Sequence, residues 1–347
     1  MTELRTERRR KKKKSWKRRL LIFVLIFLIM ILGVGSYLVY QTYQAAKGSY
    51  NGLERPGEKS EMRKEAVTVG EDPISILLIG VENYSSGGKN GRADTLIVAT
   101  LNPDTNKMTM TSIPRDTRVE LPEEGAGEYA GYHKINSAYH YGSITGYGGN
   151  RLTVETVEDL LHIPIDEYVT VDFEGFRDIV NSLGGVTVDI KEGFWEKNIF
   201  NNDKRIYFEA GPEKLNGEEA LAFVRMRKRD VNAVYPRDER QRQFIQAAIG
   251  QAISLGTIFK VGEISDILGE NVETSLRPTE IYSLQKAYSS INASNIKTFN
   301  IEGANQWFGN QIFFLPSEAG INEVSDKLRN ALGLPEDSGT GEPGTIE

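Results

Sequence analysis

The chain has 347 residues, enough to bury a substantial core, and its 39% hydrophobic and 26% charged residues are the proportions of an ordinary globular protein. It contains no cysteine, which excludes disulfides, thiolate zinc sites and cysteine nucleophiles; His133, His140 and His162 are not spaced as a metal-binding pair of the HExxH kind. The net charge of −6 hides an asymmetry: residues 1–19 hold eleven Lys and Arg against Glu3 and Glu7, a balance of +9 that leaves −15 on the remainder. The main body is therefore not a basic surface for nucleic acid.

The role of the basic run is set by its neighbour. Residues 20–40, LLIFVLIFLIMILGVGSYLVY, carry no charge, and as a helix they cover roughly 31 Å, enough for a bilayer core. Gln44-Ala45-Ala46 is a poor match to a signal-peptide cleavage site, so the segment reads as an uncleaved anchor. The positive flank places the N-terminus in the cytoplasm and the body outside. Tyr37, Tyr40 and Tyr43 fall at the outer interface, so residues 20–43 form the anchor and residues 1–19 the cytoplasmic tail. Residues 44–71 are polar and aperiodic and read as an extracellular linker, broken by Pro56-Gly57.

Beyond Pro73 the pattern becomes that of a folded domain, residues 72–334. SILLIGVE is a buried strand ending beside Glu82. Residues 95–102 and 107–113 flank an Asn-Pro-Asp-Thr-Asn turn, so they predict a hairpin that brings Arg92 and Asp94 at its entrance close to Arg115 and Asp116 at its exit. Residues 122–150 read as loop-rich, with Lys134 an ordinary surface lysine or an anion ligand. Helix is expected at 153–163, strand at 165–171, helix at 173–183 after an Asp172 cap, and strand at 186–190. Residues 193–213 read as irregular. A helix then begins near Asn216, another runs from about Arg237 to Leu255 behind Pro236, and later elements are expected at 279–291, 296–301 and 317–332. Residues 335–347 read as disordered. Strands alternating with helices predict an α/β fold, a central mixed β-sheet flanked by helices, preceded by a single N-terminal transmembrane helix.

Arg225 and Arg227 share a face if their segment is extended, and Arg237, Arg240 and Gln241 share a helix face at i, i+3 and i+4. Guanidinium groups beside a helix N-terminus suit an anion with several oxygens, although Arg-rich clusters are more often solvated surface. Glu82 and Asp94 near strand ends are the acidic counterpart: carboxylates so placed could hold a magnesium ion that bridges phosphate oxygens.

The segments LLIGVE, GRADTLIVATLNP, MTSIPRDTRVE, KINSAYHYG, VDFEGF, LGGV and LNGEEALAFVRMRK, with the later R-x-x-RQ, closely resemble the LytR-CpsA-Psr family over about residues 74–244. The resemblance implies a membrane-anchored, magnesium-dependent phosphotransferase that moves an anionic glycopolymer, wall teichoic acid or similar, from a polyprenyl pyrophosphate carrier to a peptidoglycan N-acetylmuramic acid hydroxyl. It also implies Mg2+ at Asp94 and Glu82, pyrophosphate contacts from Arg92, Arg115, Arg225, Arg227, Arg237, Arg240 and Gln241, and catalytic roles for Arg115, Asp94, Arg225 and Arg227. The implied partners are the lipid-linked glycan, the peptidoglycan acceptor and the cell membrane, with no nucleic acid. This chain departs from the family in carrying Glu82 where Asp is usual, and Val234, Tyr235 and Pro236 where an acidic residue commonly precedes the matched arginine. A non-catalytic polyprenyl-phosphate-binding or wall-organising protein is the alternative reading.

Overall fold

A computed structural model describes residues 49–83, 90–201, 204–254, 271–288, 291 and 295–335. The expected cytoplasmic tail, anchor, start of the linker and residues 336–347 lie outside the described residues, among which no helix is long and apolar enough to cross a membrane.

In chain order the elements are β1 (Ile74–Glu82), β2 (Arg92–Asn102), β3 (Lys107–Ser112), β4 (Arg118–Leu121), α1 (Glu123–Ala126), β5 (Gly131–Lys134), α2 (Ser137–Thr145), α3 (Gly149–Leu161), β6 (Glu167–Val171), α4 (Phe173–Ser182), β7 (Val186–Ile190), β8 (Phe194–Asn198), β9 (Lys204–Phe208), β10 (Gly211–Leu215), α5 (Gly217–Arg225), α6 (Arg237–Ser254), β11 (Val272–Thr274), α7 (Pro278–Ala287), β12 (Ile296–Asn300), β13 (Gly303–Phe308), β14 (Gln311–Pro316) and α8 (Glu318–Ala331). A six-stranded sheet in the order β11-β6-β1-β2-β3-β12 organises the domain. It is mixed, as the alternation and the hairpin together predict: β1 pairs with β6 in parallel and with β2 antiparallel.

Both faces of this sheet are covered, which is why β1 reads as a nearly continuous apolar run. Leu77 and Ile79 point into one core, against Leu152, Val157 and Leu161 of α3 and Val324 and Leu328 of α8. Ile97, Ala99 and Met110 point the other way, towards Tyr288 and Ile291 and the partly buried Ile245 and Ile249 of α6. Each such aliphatic side chain, fully buried, stabilises the fold by about 1.5–3 kcal/mol. A second core joins α4, α5, β7 and Phe208, held by Val180, Val186, Leu215 and Phe223.

Local chemistry fixes several boundaries. Asn216 caps α5 with a full capping box: its side chain accepts from the backbone N–H groups of Glu218 and Glu219 at 3.0 and 3.1 Å, and the Glu219 carboxylate accepts from the Asn216 N–H at 2.8 Å. Asp172 caps α4 through Gly175 N–H at 2.8 Å. The β2–β3 hairpin forms in the predicted place, its turn closed by Asn102, which accepts from Thr105 N–H at 3.2 Å, and by Asn106 at φ 48°.

Several segments differ from the sequence reading, the β13–β14 hairpin among them, which forms where no element was expected. Residues 122–150 contain α1, β5 and α2, short elements whose pairing partner β4 lies outside that stretch. Residues 193–213 contain the β8–β9 ribbon and most of β10, which pairs with β7. One face of the ribbon packs Phe194, Ile206 and Phe208 against the second core, but Glu196, Asn198 and Lys204 interrupt that face, so the apolar alternation that reveals a half-buried strand is weak. From residue 49 onward, the stretch assigned by composition to a linker is bound to the domain: Thr274 N–H donates to Ser49 O at 2.8 Å, and Arg55 and Arg63 pair with Glu158 and Asp166 at 2.6 and 2.7 Å.

Candidate active site

The antiparallel register between β1 and β2 breaks between Gly80 and Val81: Gly80 faces Thr95, whereas Val81 faces Ala93. Asp94 is the extra residue of a β-bulge, which re-aims a side chain out of the regular alternation. Gly80 is required there, because a Cβ at that position would lie 2.9 Å from Thr95 Cβ. Beside the bulge the sheet and the second core part to leave a cavity of about 420 Å³.

Its body is apolar. Leu78 of β1, Val169 and Val171 of β6, Phe173, Phe176 and Ile179 of α4, Leu221 and Val224 of α5, and Phe244 and Ile245 of α6 line it. Its mouth is charged, with Glu82, Asp94, Asp172, Arg225, Arg227, Arg237 and Gln241 on the lining. The α5 C-terminus supplies two of these: Arg225 ends the helix, Met226 turns the chain out at φ −54° and ψ 132°, and Arg227 comes next. Arg225 lies 4.9 Å from the Phe173 ring centroid.

The predicted meeting of the hairpin's ends is realised by an ion pair. Arg115 donates to both Asp94 carboxylate oxygens at 2.6 and 2.7 Å, and Asn136 donates to one of them at 3.1 Å. Asn136 is held in place by backbone bonds on either side, from Ala93 N–H to its carbonyl and from its own N–H to Arg115 O. Burial pushes the Asp94 carboxyl up, but the charge and hydrogen bond of Arg115, with Arg237 and Asn136, outweigh it and hold the group below the usual carboxylate value. Arg237 donates to the Asp94 carbonyl at 3.3 Å. Burial, with the neighbouring Arg115 and Arg227, pulls its own pKa down against the opposing pull of Asp94. Gln241 donates to Thr95 Oγ1 at 2.8 Å, which fixes its amide at the sheet edge.

Three predicted residues stand elsewhere. Arg115 reaches the cavity only through Asp94, and Arg92 is exposed, opposite Glu82 in the β1–β2 register. Arg240 is fully buried: its guanidinium donates to the carbonyls of Phe223, Met226 and Tyr235 and to Asn232 Oδ1. It ties the end of α5 to the start of α6 and is not on the cavity lining, so its geometry is that of a positioning residue. Thr95 and Asp172 are the lining residues that sequence reasoning missed in this role, with Asn136 behind them as a partner of Asp94; Asp172 was legible only as a helix cap.

Glu82 and Asp94 both reach the mouth, and two carboxylates completed by substrate phosphate oxygens are a donor set that suits magnesium. Among the described residues no three acidic or histidine side chains gather to hold a metal without such help.

The LytR_cpsA_psr family model matches residues 36–330. The chain belongs to that family. The LytR_cpsA_psr relative TagV of Bacillus subtilis (strain 168), a polyisoprenyl-teichoic acid–peptidoglycan teichoic acid transferase, is 43% identical over 316 residues, which cover 90% of this chain and 78% of TagV. TagT solved with bound octaprenyl pyrophosphate lipid superposes with a TM-score of 0.63 at 28% identity, covering 82% of this chain and 100% of TagT. TagT bound to LI-WTA gives a TM-score of 0.66 at 30% identity, with the same coverage.

Proposed function

We propose that this LytR_cpsA_psr protein is a membrane-anchored phosphotransferase that moves an anionic glycopolymer such as wall teichoic acid from a polyprenyl pyrophosphate carrier to a peptidoglycan N-acetylmuramic acid hydroxyl. The observation that carries the reading is the match between cavity and amphiphile: an apolar chamber for a prenyl tail opens on a rim of guanidinium groups for the pyrophosphate. The names and bound lipids of the relatives support the same assignment. The charge-free run at residues 20–40 behind a basic tail supports the anchor, with the domain outside the membrane.

The acceptor hydroxyl oxygen attacks the glycan-bearing phosphorus, the bond from that phosphorus to the bridging oxygen breaks, polyprenyl phosphate leaves with that oxygen, and the hydroxyl proton passes to solvent. Catalysis of this kind is positioning and charge neutralisation. Arg225, Arg227 and Arg237 offer guanidinium donors to the pyrophosphate oxygens, and Arg115 joins them when it exchanges Asp94 for phosphate. Asp94 and Glu82 would hold magnesium, which supplies further neutralisation of the pyrophosphate when bound. Gln241 and Asn136 orient the mouth.

Full-length protein in detergent, given a labelled lipid-linked glycan and peptidoglycan oligomers, tests the assignment. Arg227→Ala and Asp94→Ala should each lower transfer by about 100-fold or more, and a chelator should abolish it reversibly. Wild-type protein that binds the lipid but yields no transfer product is instead a carrier or wall organiser.

A further inference from the structure

A track of aromatic rings and paired charges leads away from the cavity mouth. On the β4–β5 ribbon Arg118 stands opposite Lys134 and Glu120 opposite Tyr132, so all four share one face. The β13–β14 hairpin lies over it: Phe314 N–H donates to Asp116 O at 2.8 Å, and Phe308 and Phe313, their centroids 5.6 Å apart, share the hairpin face that meets the ribbon. The Arg118 guanidinium is 3.7 Å from the Tyr132 centroid and 4.6 Å from that of Phe308, and the Lys134 ammonium is 5.5 Å from that of Phe313. Charge continuity runs back to the site, since Lys134 pairs with Asp116 at 2.8 Å, Asp116 with Arg115 at 3.5 Å, and Arg115 with Asp94. Tyr132 keeps 52% of its surface exposed and Phe308 36%, although burying either ring would be favourable.

We propose that this track docks the acceptor, the glycan strand of peptidoglycan, and so presents its hydroxyl to the cavity mouth; the inference rests on the transferase reading above. The C–H face of a pyranose ring is apolar and lies flat on an aromatic ring, while its hydroxyl and acetamido groups need donors and acceptors together. The track offers both. Arg118 and Lys134 are balanced by Asp116 and Glu120, so the track suits neutral N-acetylated sugars and gives a polyanionic donor polymer no net attraction. A lipid surface is the poorer fit. The hairpin comes after β12 at one edge of the sheet, whereas Ser49 to Asn51, the chain coming from the expected anchor, bond to β11 at the other, roughly 24 Å away at ordinary strand spacing.

The test uses the full chain in detergent, with Tyr132→Ala and Phe308→Ala as variants. Co-sedimentation with glycan strands stripped of stem peptides, in the absence of donor, should weaken about five- to ten-fold. In the transfer assay the acceptor KM should rise by a similar factor while the donor KM and kcat hold. Unchanged strand retention and acceptor KM overturn the proposal. So does a rise in donor KM alone, which assigns the track to the donor polymer, or a loss of binding to phosphatidylglycerol vesicles with strand retention intact, which assigns it to lipid. Wild-type protein that retains strands yet transfers nothing upholds the docking surface and removes the transferase reading instead.

Discussion

Arg240→Met tests whether the buried arginine one turn into α6 holds the fold or the substrate. The variant keeps most of the apolar stem and removes the donors that satisfy the carbonyls of Phe223, Met226 and Tyr235. An orphaned buried acceptor costs about 1–3 kcal/mol, so three of them cost about 6 kcal/mol together. Against this stands the relief of burial: the guanidinium pKa is pushed down to about 10 from 12.5, chiefly by desolvation. That shift amounts to about 3 kcal/mol, which the variant recovers. The balance is a loss of about 3 kcal/mol, or roughly 6–12 °C in thermal midpoint for a domain of this size. Thermal unfolding followed by circular dichroism, with donor KM measured well below the midpoint, supplies both readouts. Donor KM should rise only a few-fold, through loosening of Arg225 and Arg227. A variant with an unchanged midpoint and about 100-fold weaker donor binding would show that Arg240 touches phosphate, and would sink the positioning role.

Two further substitutions probe the cavity and the far end of the sheet. Ile179→Trp places a bulky ring in the apolar chamber; it should weaken binding of a long-chain prenyl pyrophosphate about ten-fold and spare a short-chain one, and equal effects on both would mean that the tail lies elsewhere. Glu167 accepts from Ser275, and burial raises its carboxyl from 4.5 to about 7, with Glu280 and Asp166 adding to the rise. The folded carboxyl therefore retains a proton that the unfolded one releases, so wild-type stability falls as pH rises from 4.5 through 7. Glu167→Gln should gain stability over wild type by up to about 3 kcal/mol between pH 5 and pH 8, and a difference that stays flat with pH in denaturant titrations would contradict this.

Much of the architecture was legible because it is written in local chemistry. Asn216 with Glu219, Asp172 before an amphipathic run, and the Asn-Pro-Asp-Thr-Asn turn each act within a few residues, and each marks its boundary in the structure. The β8–β9 ribbon was not legible, because its core-facing Phe194, Ile206 and Phe208 are interleaved with Glu196, Asn198 and Lys204, and the outer Trp195–Tyr207 pair leaves no clean apolar-polar alternation. The site divides along the same line. Hairpin geometry was sufficient to bring Asp94 to Arg115, but not to show that Asp94 occupies a bulge, since a bulge is a relation between two strands. Helix spacing grouped Arg237, Arg240 and Gln241; only the position of α5 shows that the first and last face the cavity while Arg240 is turned beneath the neighbouring helix end.

The Arg115–Asp94 pair bears on how the enzyme lets go. The arginine is bonded to both oxygens of the Asp94 carboxylate. A phosphate arriving there must displace a partner, and a phosphate departing leaves Arg115 with that partner to return to. A hydrogen bond to a charged group is worth about 1.5–3 kcal/mol, so regaining it offsets much of what is lost when the spent lipid phosphate leaves. An all-cationic pocket would grip pyrophosphate more tightly and release polyprenyl phosphate more slowly. On the proposed reading of the site, the acidic residue at the bulge favours turnover over retention.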